Sequence, residues 1–424
     1  MIYKTYKANT YNIYTIKTDK FKTCHMEIIF RNNIDKNDIT LRSVLTEMIV
    51  ENTKKYNTRR KMMIELENLY NAYFYGVTNR VGSSVITSFC FDFIDPSLVK
   101  ENALDFIKFP LEAVLNPNVK NNEFDLITLE YVKERVKKDI ESIIEDPKNY
   151  SISKLLEKMC PDTESSININ GYTKDLDKIT PETLYNFYIN MIKHDYIDVY
   201  IIGNLDMDKI SNIIKNNFKV NILKNHNITY NINNKIIKKP KKLYESFSTS
   251  QENICIGLNI TNETKFEKNY VANIYNMILG GGSLESILYK KLRNENSLCY
   301  NCVSLYQKFD NLFIIHTAIS KENETLAIKL IKESLKDMSS KKIKEEDLEN
   351  AKKLILTNLN SSLDVPGRII DNYIFKNLYD LDDLETRINN YKLVTKEDII
   401  AFAKKIKINT ILCVRDGENE KDNN

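Results

Sequence analysis

The chain has 424 residues, of which 42% are hydrophobic and 28% are charged. This composition is typical of a globular protein, and the length exceeds one typical core, so we expect two or more domains. The formal net charge of +3 is spread widely, which does not indicate nucleic acid as a partner. Residues 1–7 contain no apolar signal core, and no apolar run reaches about 18 residues. We therefore expect a cytoplasmic protein with no membrane partner.

The cysteines are odd in number and lie mostly in apolar segments. This usage is typical of buried, reduced thiols in a cytosolic protein. Cys299 and Cys302 have two residues between them, but one such pair without a second favours core packing over zinc binding. The seven cysteines are Cys24, Cys90, Cys160, Cys255, Cys299, Cys302 and Cys413.

In chain order, the first half predicts a strand at 25–30, an apolar helix at 41–50 and an extended segment at 84–93. Helices follow, and Thr180 fits the N-cap of an amphipathic helix with an acidic residue in its first turn. A buried strand after this helix ends in a glycine turn at Gly203.

The second half follows the same order. A strand at 254–260 precedes an apolar helix at 270–279, and an extended segment follows at 311–319. Thr395 then fits a helix N-cap, as Thr180 does in the first half. Further helical patterns in this half lie at 322–338, 345–359 and 381–391.

The two threonine-capped helices indicate an internal duplication. Thr180 lies 23 residues before Gly203, and Thr395 lies 22 residues before Gly417. The two copies are 395 − 180 = 215 residues apart, about half the chain. We therefore predict an α+β protein with two homologous half-domains, each a mainly antiparallel sheet with helices packed on one face.

The segment between these halves is rich in asparagine and lysine. We interpret 221–244 as an interdomain linker, which places the half-domains at 1–220 and 245–424. The basic run at 238–242 favours a solvated linker over a patch for an anionic partner.

Gly280, Gly281 and Gly282 form a triplet between two predicted helices. The second helix begins at about Ser283 and carries Arg293 near its C-terminus, and Tyr300 follows seven residues later in an extended segment. A guanidinium and a phenol at fixed spacing beside a glycine loop are suited to holding a peptide and stabilising an oxyanion.

Other interpretations of the triplet fit less well. A phosphate-binding P-loop requires a Lys-Ser/Thr pair after the last glycine, and none follows Gly282. Glu285 occupies the position where a dinucleotide fingerprint or a nucleophile elbow requires glycine. A purely structural role, in which the glycines only allow two helices to pack closely, remains open.

The segment from Leu279-Gly-Gly-Gly to Leu298-Cys-Tyr resembles the C-terminal half-domain of insulinase/pitrilysin-type metallopeptidases, the inverzincins. This family includes the mitochondrial processing peptidase and small bacterial two-subunit peptidases. The resemblance covers nearly the whole chain, including the duplication. It implies that Arg293 holds a substrate carbonyl and that Tyr300 hydrogen-bonds the tetrahedral oxyanion above a zinc site.

The zinc motif of this family is absent from the first helix. The family's His-x-x-Glu-His would align with Ser43, Thr46 and Glu47, and a third ligand would fall near Asp139. A hydroxyl and a carboxylate do not replace two imidazoles as zinc ligands. We expect structural or surface roles for the scattered histidines, and we expect the chain alone to be zinc-free and inactive. The histidines are His25, His194, His226 and His316.

These observations favour an active site whose groups come from two different chains. In the first hypothesis this chain is the non-zinc subunit of a heterodimeric zinc peptidase, and a homologous partner supplies His-x-x-Glu-His and the zinc. Arg293 and Tyr300 then act in trans, and residues 280–283 contact an extended peptide or precursor protein. The alternatives are a non-catalytic structural or peptide-presenting module and an independent enzyme with another metal or cofactor.

Overall fold

A computed structural model describes residues 1–223, 227–232, 234, 237, 239–340 and 342–417. The chain divides into two compact units that are discontinuous in sequence. Unit 1 contains the described residues of Met1–Ser142, Asn168–Tyr230 and Val365–Asp371. Unit 2 contains the described residues of Ile143–Ile167, Asn231–Asp364 and Asn372–Asn424.

Strands from the first half of the chain form the sheet of unit 1. They are β1 (Ile2–Lys7), β2 (Asn12–Lys17), β3 (Thr23–Asn33), β4 (Tyr73–Val81), β5 (Ser84–Ile94), β6 (Val119–Lys120), β7 (Glu123–Phe124) and β8 (Tyr196–Gly203). Six of them pair in the order β1-β2-β8-β3-β5-β4, and β6 and β7 form a separate short ladder. All neighbours in the large sheet are antiparallel except β2 and β8, which are parallel.

Helices of unit 1 cover one face of its sheet. The helices of the first half are α1 (Ile39–Glu51), α2 (Arg59–Asn68), α3 (Pro96–Val99), α4 (Ala103–Leu115), α5 (Leu126–Glu145), α6 (Pro147–Met159), α7 (Thr173–Leu176), α8 (Pro181–His194) and α9 (Met207–Asn217). Of these, α6 belongs to unit 2. Alternate residues of β3, such as Met26 and Phe30, are buried in one apolar cluster with side chains of α1, α4 and α8. The period of two along a strand places the residues between them on the opposite face.

The sheet of unit 2 repeats the strand order of unit 1. Its strands are β9 (Lys241–Ser246), β10 (Glu252–Ile260), β11 (Cys299–Gln307), β12 (Leu312–Ile319) and β13 (Ile406–Arg415). Their order is β11-β12-β10-β13-β9, with only β13 and β9 parallel. This matches β4-β5-β3-β8-β2 of unit 1, including the parallel pair. The predicted α+β class with mainly antiparallel sheets is confirmed.

The helices of the second half are α10 (Ala272–Leu279), α11 (Ile287–Tyr289), α12 (Glu324–Met338), α13 (Glu345–Ser361), α14 (Pro366–Tyr379), α15 (Leu384–Leu393) and α16 (Lys396–Ala403). Wider π-type turns at Glu267–Val271 and Lys290–Asn294 extend α10 and α11. Short 3-10 turns lie at Glu164–Ser166, Lys321–Asn323 and Ser362–Asp364. None of the described helices combines the length and apolarity needed to cross a membrane.

Local sequence accounts for the ends of the duplicated helices. The Thr180 hydroxyl accepts a hydrogen bond from the Thr183 amide at 3.2 Å, and the Thr395 hydroxyl accepts one from the Asp398 amide at 3.2 Å. Each side chain at the third helical position returns a bond to the cap, which completes a capping box. Both threonines therefore cap α8 and α16 as predicted.

One helix departs from the one-face pattern. In unit 2, α6 packs through Leu155 and Met159 against the sheet face opposite to α10, α12 and α16. Gly257 of β10 makes this possible, because a Cβ there would lie 2.3 Å from the Met159 sulfur. The strand residues under α6 are Cys255, Leu312, Ile314, Leu412 and Val414.

The compact units differ from the sequence-based domain boundaries in two segments. Residues 143–167, from the first half, belong to unit 2, and residues 365–371, from the second half, belong to unit 1. Residues 241–244, which the sequence assigns to the linker, form the start of β9. The domain boundaries at 220 and 245 remain a prediction.

Candidate functional site

The glycine triplet begins where α10 ends, and Gly280 lies against β11. The Gly280 carbonyl accepts a hydrogen bond from the Ser304 amide at 2.8 Å. A Cβ at this position would lie 2.9 Å from both the Ser304 nitrogen and the Leu288 Cδ1. Glycine is required here by the close approach of two backbones.

Gly282 requires glycine for a different reason. Its φ of +97° lies in the left-handed region, whereas a Cβ there would meet no atom within 4 Å. After it, the Ser283 carbonyl accepts from the Ser286 amide at 3.1 Å and its hydroxyl accepts from the Glu285 amide at 3.1 Å. These bonds form a turn, so the second helix begins at Ile287 and not at about Ser283 as predicted.

Arg293 and Tyr300 are in direct contact. The Arg293 Nη1 donates to the Tyr300 carbonyl oxygen at 2.8 Å and also to the Tyr289 hydroxyl. The guanidinium carbon lies 4.5 Å from the centre of the Tyr300 ring and 5.0 Å from that of Tyr289. Two aromatic faces therefore hold the guanidinium by cation–π attraction.

Tyr300 is directed outward by an irregularity in β11. The pairing of β11 with β12 shifts between Cys299 and Cys302, and a bulge of this kind redirects the intervening side chains. Tyr300 is 80% exposed, whereas both cysteines are buried in the apolar cluster of unit 2. The cysteine pair thus lies in the core, and the phenol is available to a ligand.

Sequence reasoning missed Tyr289, although a signal for it exists. Tyr289 precedes Arg293 by four residues, a spacing that brings two side chains together on one helix face. Its ring and hydroxyl both contact the guanidinium. The candidate site is therefore a cluster of Tyr289, Arg293 and Tyr300, and the glycine triplet lies in the same segment of the chain.

The residues at the degenerate zinc positions of α1 are held by other groups. The Ser43 hydroxyl donates to the Ile39 carbonyl at 3.2 Å, and the Thr46 hydroxyl donates to the Arg42 carbonyl at 2.7 Å. Hydroxyls that bond to the preceding helical turn are poor metal ligands. Glu47 is the remaining candidate on this helix.

Glu47 pairs with a cation of this chain. Its Oε2 accepts from the Arg135 Nη2 at 2.7 Å, and Arg135 also donates to buried Glu51. Burial raises the pKa of Glu47, and Arg135 opposes this shift. Asp139, one turn beyond Arg135 on α5, is exposed. With a guanidinium between its carboxylates, this donor set does not fit Zn²⁺.

The histidines lie in separate places. His25 on β3 bonds to Asp92 at 2.7 Å through Nδ1 and to Glu27 at 3.0 Å through Nε2. Burial lowers the pKa of His25, but bonds to these carboxylates and to Cys90 raise it overall to about 12. His316 bonds to Asn253, His194 lies in the last turn of α8, and His226 lies outside the described residues.

Comparison with known families gives a match over part of the chain. Residues 178–355, from α8 into α13, match the family model described as "Peptidase M16 inactive domain". The chain is also 24% identical over 405 residues to the "Probable inactive metalloprotease YmfF" of Bacillus subtilis (strain 168). That alignment covers 93% of each protein.

Solved structures show the same fold. A conserved protein from Enterococcus faecalis V583 superposes with a TM-score of 0.91 at 21% identity, covering 99% of both chains. A peptidase M16 inactive domain from Pseudomonas fluorescens superposes with a TM-score of 0.78 at 16% identity, covering 98% of both chains. The architecture is thus similar to theirs along nearly its whole length.

Proposed function

We propose that this chain is the non-zinc subunit of a heterodimeric zinc metallopeptidase. The match of residues 178–355 to the Peptidase M16 inactive-domain model supports this proposal. The family match confirms the insulinase/pitrilysin-type resemblance seen in the sequence. A homologous partner supplies His-x-x-Glu-His and the zinc. This chain supplies Arg293, Tyr300 and residues 280–283.

The observation that carries this proposal is the assembled pair of Arg293 and Tyr300. A merely architectural relative does not require an exposed phenol stacked on a guanidinium beside a glycine loop. Both described hydrogen bonds of Arg293 use Nη1, which leaves Nη2 and Nε to donate to a substrate carbonyl. The phenol of Tyr300 is free to donate a second bond.

The chemistry follows from the division of groups between the chains. Zinc held by the partner's His-x-x-Glu-His would supply the activated water that attacks a peptide carbonyl. Tyr300 donates its O–H to the oxygen that becomes negative in the tetrahedral intermediate, and Arg293 orients the neighbouring main chain. A positioned donor of this kind contributes about 3–4 kcal/mol to the transition state. Because the contacts are to main-chain groups, the substrate is an extended peptide with relaxed sequence preference.

The test uses the purified complex of this chain with its co-purifying homologous partner and an unstructured fluorogenic peptide. We expect no cleavage by either chain alone and cleavage by the mixture. Tyr300→Phe should lower kcat about 100-fold while the complex assembles normally on a sizing column. Tyr73→Phe, at another exposed tyrosine, is the matched control. A mixture whose rate is unchanged by Tyr300→Phe would contradict the proposed role.

The second candidate is a non-catalytic structural or peptide-presenting module. The guanidinium of Arg135 between the carboxylates of α1 favours it, because this chain cannot use those positions for zinc. The relative YmfF bears the name of a probable inactive metalloprotease. This candidate predicts that no mixture with a partner cleaves peptide, and that Tyr300→Phe changes only peptide binding.

A further inference from the structure

Glu252, the first residue of β10, is a buried acid that lies beside a second acid, Glu324. It is 3% exposed, and neither of its carboxylate oxygens accepts a hydrogen bond from a donor group in the described part of the chain. A proton shared with Glu324 would pair the two carboxyl groups. Burial of an unpaired ionised carboxylate costs several kcal/mol. Such a group in a folded protein requires a proton or a bound cation to compensate it.

Two further side chains of types that can bind metal lie near Glu252 in unit 2. One ligand atom each from Glu252, Glu324 and Cys413 can be chosen so that all three lie within 4.8 Å of one another. Cys413 is on β13, whose partner on β10 is Ile254, and Glu324 is the first residue of α12. The three donors therefore come from two adjacent strands and a helix, which are rigid supports.

The donor types and their spacing suit zinc. Bonds of about 2.0–2.3 Å in a tetrahedral zinc site place neighbouring donor atoms about 3.3–3.8 Å apart, a spacing compatible with this cluster. A thiolate among the donors favours Zn²⁺ over Mg²⁺ or Ca²⁺, which prefer oxygen. Three protein ligands leave a fourth position for water.

We propose that Glu252, Glu324 and Cys413 bind a Zn²⁺ ion in unit 2. The site is separate from the degenerate zinc positions of α1. It does not depend on the proposed peptidase role of Arg293 and Tyr300.

The charged groups around the cluster allow a metal ion to bind. Glu324 accepts through Oε1 from the Lys242 ammonium and from the Tyr244 hydroxyl, the latter at 3.2 Å. These bonds hold the carboxylate in place and leave Oε2 for a metal. Lys242 and Tyr244 are exposed, so this side of the cluster lies close to solvent.

Zinc binding must release protons. Carboxylates and thiolates bind zinc in their ionised forms, whereas a free cysteine thiol is mainly protonated at neutral pH. Cys413 therefore loses a proton when Zn²⁺ binds, and any proton shared by Glu252 and Glu324 leaves as well. In the zinc-bound cluster, the two positive charges of Zn²⁺ and the charge of Lys242 balance the three ionised ligands.

A second cluster in unit 1 provides an internal control. His25, Glu27 and Cys90 also have metal-ligand spacing. However, His25 already bonds to Glu27 at 3.0 Å and to Asp92 at 2.7 Å. This cluster is satisfied without a cation, so we expect it to bind zinc weakly or not at all.

The experiment titrates the chelator-treated full chain with Zn²⁺ by calorimetry in buffers of different ionisation enthalpy. We expect one ion per chain and the release of at least one proton, from the Cys413 thiol, near neutral pH. Co²⁺ should bind at the same site and give the thiolate charge-transfer absorption of a cysteine ligand. Cys413→Ser should abolish that absorption and weaken zinc binding at least about 100-fold, whereas Cys90→Ser should change neither.

Glu252→Gln separates loss of binding from loss of folding. The amide has the shape of the protonated acid, so the variant should fold as the metal-free chain does, as judged by circular dichroism, and fail to bind zinc. A folded wild-type chain that binds no zinc would overturn the proposal. So would zinc binding that survives both Cys413→Ser and Glu252→Gln, or that is lost in Cys90→Ser instead.

Discussion

Several side chains of this protein are held in place by interactions of their charged groups as well as by apolar packing. Arg293 lies between two tyrosine rings, and Arg135 joins Glu47 to Glu51. Buried His25 pairs with buried Glu27 and with Asp92, whose side chain is 45% exposed. In each case a cation is paired, as the cost of desolvation demands.

The pH dependence of stability should show that His25 is protonated in the folded chain. Its pKa is raised to about 12 in the folded chain, against about 6.5 when unfolded. Its contribution to stability is complete below pH 6.5 and is lost as the pH rises towards 12, because only the folded state keeps the proton in that window. Near this ring, Asp371 has a pKa raised to about 6 by burial and the charge of Glu27, so it is mainly ionised above pH 7.

The measurement is urea unfolding of wild type and His25→Gln between pH 7 and pH 10. We expect the free energy of unfolding of wild type to fall relative to the variant by about 1.4 kcal/mol per pH unit. Equal slopes for the two proteins would show that His25 is neutral in the folded chain.

Sequence reasoning predicts single elements more readily than contacts between elements that are distant along the chain. Threonine caps are local signals, so α8 and α16 and their following strands are predicted well. The edge strand β4 has few fully buried side chains, and its pattern gives little periodic signal. Arg135 meets Glu47 from 88 residues away along the chain, a pairing that no local spacing encodes.

The same difference between local spacing and long-range pairing applies to the two candidate sites. Gly280, Arg293 and Tyr300 lie within one short segment, so their proximity follows from local spacing. Glu252, Glu324 and Cys413 are spread over more than 150 residues and meet only through the pairing of β10 with β13 and the start of α12. Such a cluster becomes visible only when the sheet order is known.

The ion pairs through which Arg135 of α5 holds the carboxylates of α1 give a testable prediction. Arg135→Met would leave Glu51, whose side chain is 3% exposed, without its closest cation, and we expect a loss of about 1–3 kcal/mol in the free energy of unfolding. Arg59 contacts the same Glu51 at 3.4 Å but is 54% exposed. Arg59→Met is therefore the matched control, and it should cost less than about 1 kcal/mol. Chemical denaturation measures both, and equal losses would contradict a special role for Arg135.

At the scale of the whole molecule, the chain passes between the two units five times. The crossings follow residues 142, 167, 230, 364 and 371. The α6 helix, encoded in the first half, completes the apolar packing of unit 2. The second half alone would expose the strand residues that α6 covers.

This packing predicts how a cut chain behaves. With a protease site inserted at 224–226 and cleaved after folding, the two fragments should stay together on a sizing column, because α6 remains packed in unit 2. Leu155→Ala combined with Met159→Ala should weaken this association, since each truncation of a buried side chain costs about 2–5 kcal/mol. Fragments that separate without these substitutions would show that α6 contributes little.

The position of α6 in unit 2 also constrains which segments of this chain and of a relative can be combined in a chimera. A chimera joined at the midpoint would carry the α6 of one parent over the β10, β12 and β13 of the other. A Cβ at Gly257 would lie 2.3 Å from the Met159 sulfur, so a donor with a larger residue at position 257 would require the Met159 side chain to move. A recombination that preserves the packing must therefore move residues 143–167 together with the second half. Although the two sheets share one strand order, the units that would have to be exchanged intact are not the two halves of the sequence.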